Sequence, residues 1–292
     1  MENIFKGTGP AVITPFKNDD LSVDFEALER VLGFQIENGI DFIVALGTTA
    51  ETATLSHNER HKVYQFIKKV NNKRLPLMVG FGGNNTAEVI NHIKSADFEG
   101  IDAILSVVPY YNKPTQEGLF RHFMAIVEVC PVPVMLYNVP SRTGTNMEAS
   151  TTIRLAATTD KFIGVKEASG DLEQIKSIIE NTRDGFDVVS GDDAMICDIA
   201  SVGGSGVISV MANAFPKEVV ELNSRSLKKA ADAAALQESY AKLIELLFVD
   251  GNPGGVKAVL HQKGMIDNAL RLPLCPVGDT TYEKIAKVLK KL

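Results

Sequence analysis

Through its first 225 or so residues the chain repeats one pattern eight times: a short apolar run, a turn, then a stretch with helical spacing. The apolar runs lie at residues 9–15, 42–46, 77–80, 103–108, 134–137, 162–166, 186–189 and 206–209. Each is too short for a helix and is bounded by Gly, Pro, Asn or Ser, so each reads as a buried strand. The intervening stretches carry helix signals. Residues 24–38 place Phe25, Leu28, Val31, Leu32, Gln35 and Ile36 on one face, with Ser22 as the expected cap and Gly39 as the stop. Ser56 and Glu59 have capping-box spacing for a helix to about residue 70. Further helices are expected from Thr86, over 115–129, 147–157 and 172–181, up to about residue 202, and from Pro216. A helix between two strands returns the chain to the same end of the sheet, so the strands pair in parallel. Eight such units at this length predict an α/β fold, a closed (β/α)8 barrel, better than an open sheet.

The pattern stops near residue 225. Residues 226–292 show only helical segments, about 227–248, 256–261 and 282–292, and too few residues for a typical independent domain. The expected organisation is a barrel over 1–225 with a C-terminal helical appendage, 226–292, packed on it. A net charge of −6 and the lack of a basic cluster argue against nucleic acid. Cys130, Cys197 and Cys275 are far apart and odd in number, which fits reduced thiols in a cytoplasm and neither a disulfide framework nor a zinc site. Residues 1–16 lack the basic start, apolar core and cleavage site of a signal peptide. The one uncharged run of membrane-span length, 199–216, holds three glycines, three serines and Asn213, and reads as a strand with its turns. No membrane partner is expected.

In a barrel of this kind the chemistry gathers where the strands end. Lys166 closes an apolar run and is followed by a Ser-Gly-Asp turn. Burial at such a position works against the ammonium form, and a neutral amine can attack a ketone to form an imine. The same position suits a lysine that only ends its strand and reaches solvent. Tyr137 ends the preceding strand, so its phenol can neighbour Lys166 as an acid–base partner, or serve as a core aromatic. Gly47-Thr48-Thr49 offers hydroxyls and backbone N–H groups that can hold a carboxylate or relay a proton, or form an ordinary turn. Arg142, in the loop after Tyr137, suits a carboxylate or a surface ion pair. Other signals fall short. His57 and His61 have metal-ligand spacing without a third ligand, residues 80–83 lack the last glycine of a dinucleotide loop, and Asp192-Asp193 reads as a helix cap. No metal and no cofactor are expected.

Gly47-Thr48-Thr49-Ala50-Glu51, Pro109-Tyr110-Tyr111-Asn112, Tyr137-Asn138-Val139-Pro140-Ser141-Arg142-Thr143-Gly144 and Gly164-Val165-Lys166-Glu167-Ala168 together resemble the dihydrodipicolinate synthase family. The resemblance extends into the tail, with Phe248-Val249 and Asn252-Pro253. The lysine strand and the Tyr-Asn-Val-Pro segment also occur in sibling aldolases and lyases that act on sugar acids, such as N-acetylneuraminate lyase; Arg-Thr-Gly is the marker more specific to the synthases.

The resemblance implies a lyase of lysine and diaminopimelate biosynthesis whose substrates are pyruvate and aspartate semialdehyde. Lys166 would form the Schiff base, Tyr137 would move protons, and Thr48 would link it to Tyr111, which would reach a neighbouring subunit. Thr49 and the adjacent backbone would hold the pyruvate carboxylate, Arg142 that of the aldehyde, and Gly191 and the backbone of Ile208 would wall the imine. A homo-oligomer follows, a tetramer built as a dimer of dimers, with Tyr110 and Tyr111 exposed at an interface. Thr52, Ala53, His57, Asn84, Glu88 and Tyr110 match a possible allosteric lysine site. The chain departs from the pattern at Ala50 and Thr52, and Arg60 stands where a histidine is often found, which puts lysine regulation in doubt.

Overall fold

The computed structural model describes residues 4–291; residues 1–3 of the stretch expected to lack a signal peptide, and Leu292 of the expected last helix, lie outside the described residues. Eight strands alternate with helices: Gly7–Pro10 (β1), Ile43–Ala45 (β2), Leu77–Gly80 (β3), Ala103–Val107 (β4), Val134–Asn138 (β5), Phe162–Glu167 (β6), Asp187–Ser190 (β7) and Gly206–Ser209 (β8). The helices are Phe25–Glu37 (α1), His57–Asn71 (α2), Thr86–Ser95 (α3), Gln116–Val129 (α4), the single turn Pro140–Thr143 (α5), Ala149–Thr158 (α6), Leu172–Asn181 (α7), Ile196–Ser201 (α8) and Pro216–Leu227 (α9), then Ala233–Phe248 (α10), Gly254–Gln262 (α11) and Asp279–Leu289 (α12). All paired strands run parallel in the order β1-β8-β7-β6-β5-β4-β3-β2. The ring closes where the chain leaving β1 meets β2: Ala11 bridges Val44, and Val12 N donates to Val44 O at 2.9 Å.

The first helix is capped by Asp24 and not by the expected Ser22, which lies two residues earlier and gives its N–H to Asp20 Oδ1. Asp24, Ser56, Asn85, Thr115 and Asp171 each accept a first-turn N–H, and Ser56 with Glu59 forms the full capping box. Two boundaries differ from expectation. The first strand is Gly7–Pro10 and does not reach Pro15, because Ile13 N donates to Asn213 Oδ1 at 3.0 Å and not to a neighbouring strand. The expected 227–248 helix starts only at Ala233, because after α9 ends at Leu227, Lys229 adopts a left-handed φ of 54° and its N–H turns back to Ser226 O.

Apolar side chains fill the barrel and the layer around it. Inward residues such as Phe42, Met78, Leu105, Met135, Val189 and Ile208 form the central plug. Outward residues pack against α1–α9. The tail helices α10–α12 share one of these outer cores with residues of β8, α8 and α9. α11 approaches α10 closely at Gly255, where a Cβ would lie 2.5 Å from Leu247 Cα.

Two polar contacts tie the tail to the loop after β2. Glu51 and Lys257 form a fully buried ion pair; Lys257 Nζ also donates to Ala269 O at 2.9 Å, and Glu51 Oε2 accepts from Arg271 N at 3.1 Å. Arg271 then grips Glu59 with both terminal guanidinium nitrogens, at 3.0 and 2.6 Å. That bidentate contact pulls the Glu59 carboxyl from its ordinary 4.5 to about 2. A depressed carboxyl stabilises the fold above its unfolded value, and that stability is lost as pH falls through the folded one. Stability should therefore drop between about pH 4.5 and 2. Glu59→Gln should flatten that part of the profile, measured by denaturant unfolding at stepped pH.

Candidate active site at the carboxyl rim of the barrel

Register sets the centre of the site. Tyr137 on β5 pairs with Lys166 on β6, and Lys166 pairs with Val189 on β7. Lys166 is 4% exposed, and its Nζ lies 4.3 Å from the centroid of the Tyr137 ring. The expected neighbours on adjacent strands thus meet at van der Waals range.

A cavity of about 470 Å3 opens above them. Of the residues expected in the site, Thr48, Thr49, Tyr137, Arg142, Lys166 and Gly191 line it. Gly191 has a steric reason to be glycine: a Cβ would stand 3.0 Å from Lys166 Cε and 2.9 Å from Ala168 Cβ. Its N–H donates to Glu167 O at 2.7 Å, which fixes the turn after β7 against β6. Arg142 sits on α5, exposed, and no ion pair occupies its guanidinium among the described residues. It is available to an anion entering the cavity.

The threonine turn accommodates its unusual residues. Thr48–Ala50 forms a 3-10 turn with Ala50 buried, so the added methyl is absorbed by the core. The Thr52 hydroxyl donates to Gly47 O at 2.8 Å and staples the turn. Thr49 is held from the tail, with Asn252 Nδ2 donating to its Oγ1 at 3.0 Å.

Three side chains stand outside the cavity: Ile208, Tyr111, which is exposed as expected, and Asp193, which is not the expected cap. Ile208 is packed in the central plug and does not line the cavity; Val210, two residues on, does. Tyr111 is 90% exposed at a left-handed φ of 74° and touches neither cavity wall in this chain. Asp192 caps the turn after β7 by accepting from Ala194 N at 2.9 Å, but Asp193 is no cap. It is buried, accepts from Val210 N at 3.0 Å and Met211 N at 2.8 Å, and burial pushes its carboxyl up to about 6.

The wall facing α5 was not legible as part of the site. Gln237, Ala241, Ile244, Glu245 and Phe248 of α10 line the cavity together with Asn252. Their spacing of three and four puts them on one helix face, a signal present in the sequence but without a partner until α10 is docked.

A second, larger cavity of about 760 Å3 shares Thr48, Tyr137, Val139, Arg142 and Asn252 with the first. Thr52, Ala53, His57 and Tyr110 of the expected regulatory set line it; Asn84 and Glu88 do not, although Asn84 Nδ2 donates to Tyr110 O at 3.2 Å. Arg60 also lines it, half-buried, its Nε donating to Thr52 O and Leu55 O. His57 stacks edge-on against His92, with centroids 4.2 Å apart, while His61 pairs with the Tyr64 hydroxyl at 2.9 Å. Burial, aided by His57 and Arg60, pushes the His92 imidazole below its ordinary value. Among the described residues no group of three His, Cys, Asp or Glu can hold a metal ion, and no helix is long and apolar enough to cross a membrane.

A parallel eight-stranded barrel with a buried lysine and a tyrosine side by side at its carboxyl rim defines the class: a (β/α)8 barrel with a lysine–tyrosine centre. Residues 4–292 match the model of the dihydrodipicolinate synthetase family, and the chain belongs to that family. It is 49% identical over 288 residues to a 4-hydroxy-tetrahydrodipicolinate synthase of Parabacteroides distasonis, covering 98% of this chain and 97% of the relative. Among solved structures, the dihydrodipicolinate synthase of Thermotoga maritima superposes with a TM-score of 0.96 at 39% identity, covering 99% of each chain. A chloride-inhibited dihydrodipicolinate synthase of Acinetobacter baumannii, complexed with pyruvate, superposes with a TM-score of 0.94 at 41% identity over 99% of this chain and 98% of that one.

Gly191→Ala should leave the fold intact and displace the Lys166 side chain. Imine formation with pyruvate, followed by mass spectrometry of the reduced adduct, should slow on the order of 10²-fold for a displacement near 1 Å.

Proposed function

We propose that the chain is a 4-hydroxy-tetrahydrodipicolinate synthase, which condenses pyruvate with aspartate 4-semialdehyde. The observation that carries this reading is the buried Lys166 beside Tyr137 in a cavity that also presents an unpaired Arg142. Family membership and the relatives' names support it over a sugar-acid aldolase.

The Lys166 amine adds to the pyruvate ketone and water leaves, giving an imine. Loss of a methyl proton yields the enamine, whose carbon attacks the aldehyde. The amino group of the new adduct then attacks the imine carbon, closing the ring and expelling Lys166. Each step moves a proton near the rim, and we assign that transfer to the phenol of Tyr137, whose ring lies beside Lys166 Nζ. Thr49 and its turn hold the pyruvate carboxylate, Thr48 links the phenol outward, and Arg142 takes the carboxylate of the aldehyde substrate. Gly191 gives the imine room. Nothing in this sequence of steps calls for a metal or cofactor.

The assembly we propose is a homo-oligomer, a tetramer of two tight dimers. Tyr110 and Tyr111 are exposed on one loop, as aromatic interface anchors are, and Tyr111 would complete the proton path in a second copy. The second cavity is the place for a regulatory ligand. Arg60 there sets a permanent cation against the ammonium groups of lysine, so lysine inhibition is expected to be weak.

Borohydride added with pyruvate should trap one adduct, on the peptide carrying Lys166; an active preparation with no such adduct would refute the imine. Arg142→Ala should lower kcat/KM for aspartate semialdehyde by at least about 10²-fold, the loss expected for removing one charged hydrogen-bonding partner, while pyruvate trapping stays near that of the unaltered enzyme.

A further inference from the structure

Lys166 reaches the cavity because β6 changes phase partway along its length. On β5 the period of two is regular: Met135, Tyr137 and Val139 join the barrel interior, Val134 and Leu136 the outer layer. On β6 Ile163 joins the interior but Val165 packs outside. Counting by twos from Ile163 would turn Val165 inward and send Lys166 into the helix layer. The pairing shows what reverses this. Val134 faces Phe162 and Met135 faces Gly164, so β6 carries one residue more than β5 over the same span. Such a bulge re-aims the side chains beyond it. Gly164 sits at that point with no space for a side chain: a Cβ would meet Asp187 O at 2.2 Å and Met135 Sδ at 3.1 Å.

Past the bulge, backbone hydrogen bonds alone do not choose the phase, because a parallel ladder can be satisfied in a slipped register. A side-chain contact does choose it. Asn138 and Glu167, the residues after Tyr137 and Lys166, are direct partners across the strands on the outer face. Both are fully buried, and Asn138 Nδ2 donates to Glu167 Oε1 at 2.6 Å. The other Glu167 oxygen accepts from the Ser169 hydroxyl and backbone N–H. Asn138 gives its second amide hydrogen to Asn146 Oδ1 at 2.8 Å and accepts from Met147 N at 2.9 Å, so the amide is satisfied. Burial holds the Glu167 carboxyl above its ordinary value, so losing the Asn138 donor is costly in this setting. A slip of one residue would put Glu167 inside the barrel and Lys166 outside it.

We propose that Gly164 and the Asn138–Glu167 pair are positioning residues of the reaction: the bulge turns Lys166 inward, and the bond between strands keeps it opposite Tyr137. This rests on the imine reading above. The test is the first-order rate of borohydride trapping at saturating pyruvate, at a temperature where circular dichroism shows each variant folded. Asn138→Ala and Glu167→Ala should trap on the order of 10- to 100-fold more slowly, as a misplaced nucleophile does. Glu167→Gln, which keeps an acceptor for Asn138, should recover most of the rate. Gln116→Ala, which removes bonds to Asn146 O, Glu148 N and the Thr151 hydroxyl nearby without touching Asn138 or Glu167, should lower stability without slowing trapping. Where Asn138→Ala does not fold, Asn138→Ser gives the same readout, since serine keeps a polar group but cannot span to Glu167. Trapping at the unaltered rate in the folded Asn138 and Glu167→Ala variants would overturn the proposal. So would Glu167→Gln as slow as Glu167→Ala, because charge and not position would then be at issue. Failure of the unaltered enzyme to trap would instead strike the imine reading itself.

Discussion

A barrel strand shows its interior only every second residue, and on β6 one of those places must fall to Lys166. Everything at the rim is arranged around that requirement. Tyr137 is in register beside it, Gly191 leaves space for its stem, and the threonine turn and Arg142 line the same cavity. An amine that opens on the cavity can meet a ligand there; the same amine one residue out of phase would lie in the helix layer, out of reach of the cavity. The bulge between β5 and β6 is therefore a small distortion with a large chemical consequence.

The helical tail is part of the site as well as of the core. Glu51, inside the threonine motif, is buried against Lys257, and Asn252 holds Thr49. A buried ion pair is weak evidence for stability, because desolvation offsets much of its attraction. It is a strong device for fixing one geometry, since either partner alone would be an uncompensated charge. The loop that carries Thr48 and Thr49 is thus set by residues some 200 positions away, and α10 supplies the wall opposite α5.

The strand–helix count was legible because period-two and period-3.6 patterns are local, and local pattern survives whatever the tertiary packing does. Lys166, Tyr137, Thr48, Thr49 and Arg142 were legible because barrel chemistry collects at strand ends, which turn residues mark. The side chain of Ile208 lies in the central plug while that of Val210 lines the cavity, a division set by the pleat after β8 and not by where the strand ends. Asp193 looked like half of a cap and is instead a buried acceptor for the loop after β8. The break after Leu227 had no proline or glycine to announce it; a lysine takes the left-handed turn.

Residue order alone determined the alternation, the parallel barrel it closes into, and which polar groups stand at its rim, because each depends on spacing within a few tens of residues. Only the folded chain decided which way Lys166 faces, which helix walls the cavity, and what holds the threonine turn. Those depend on one inserted residue in a strand and on partners from the far end of the chain, and neither leaves a periodic trace in the sequence.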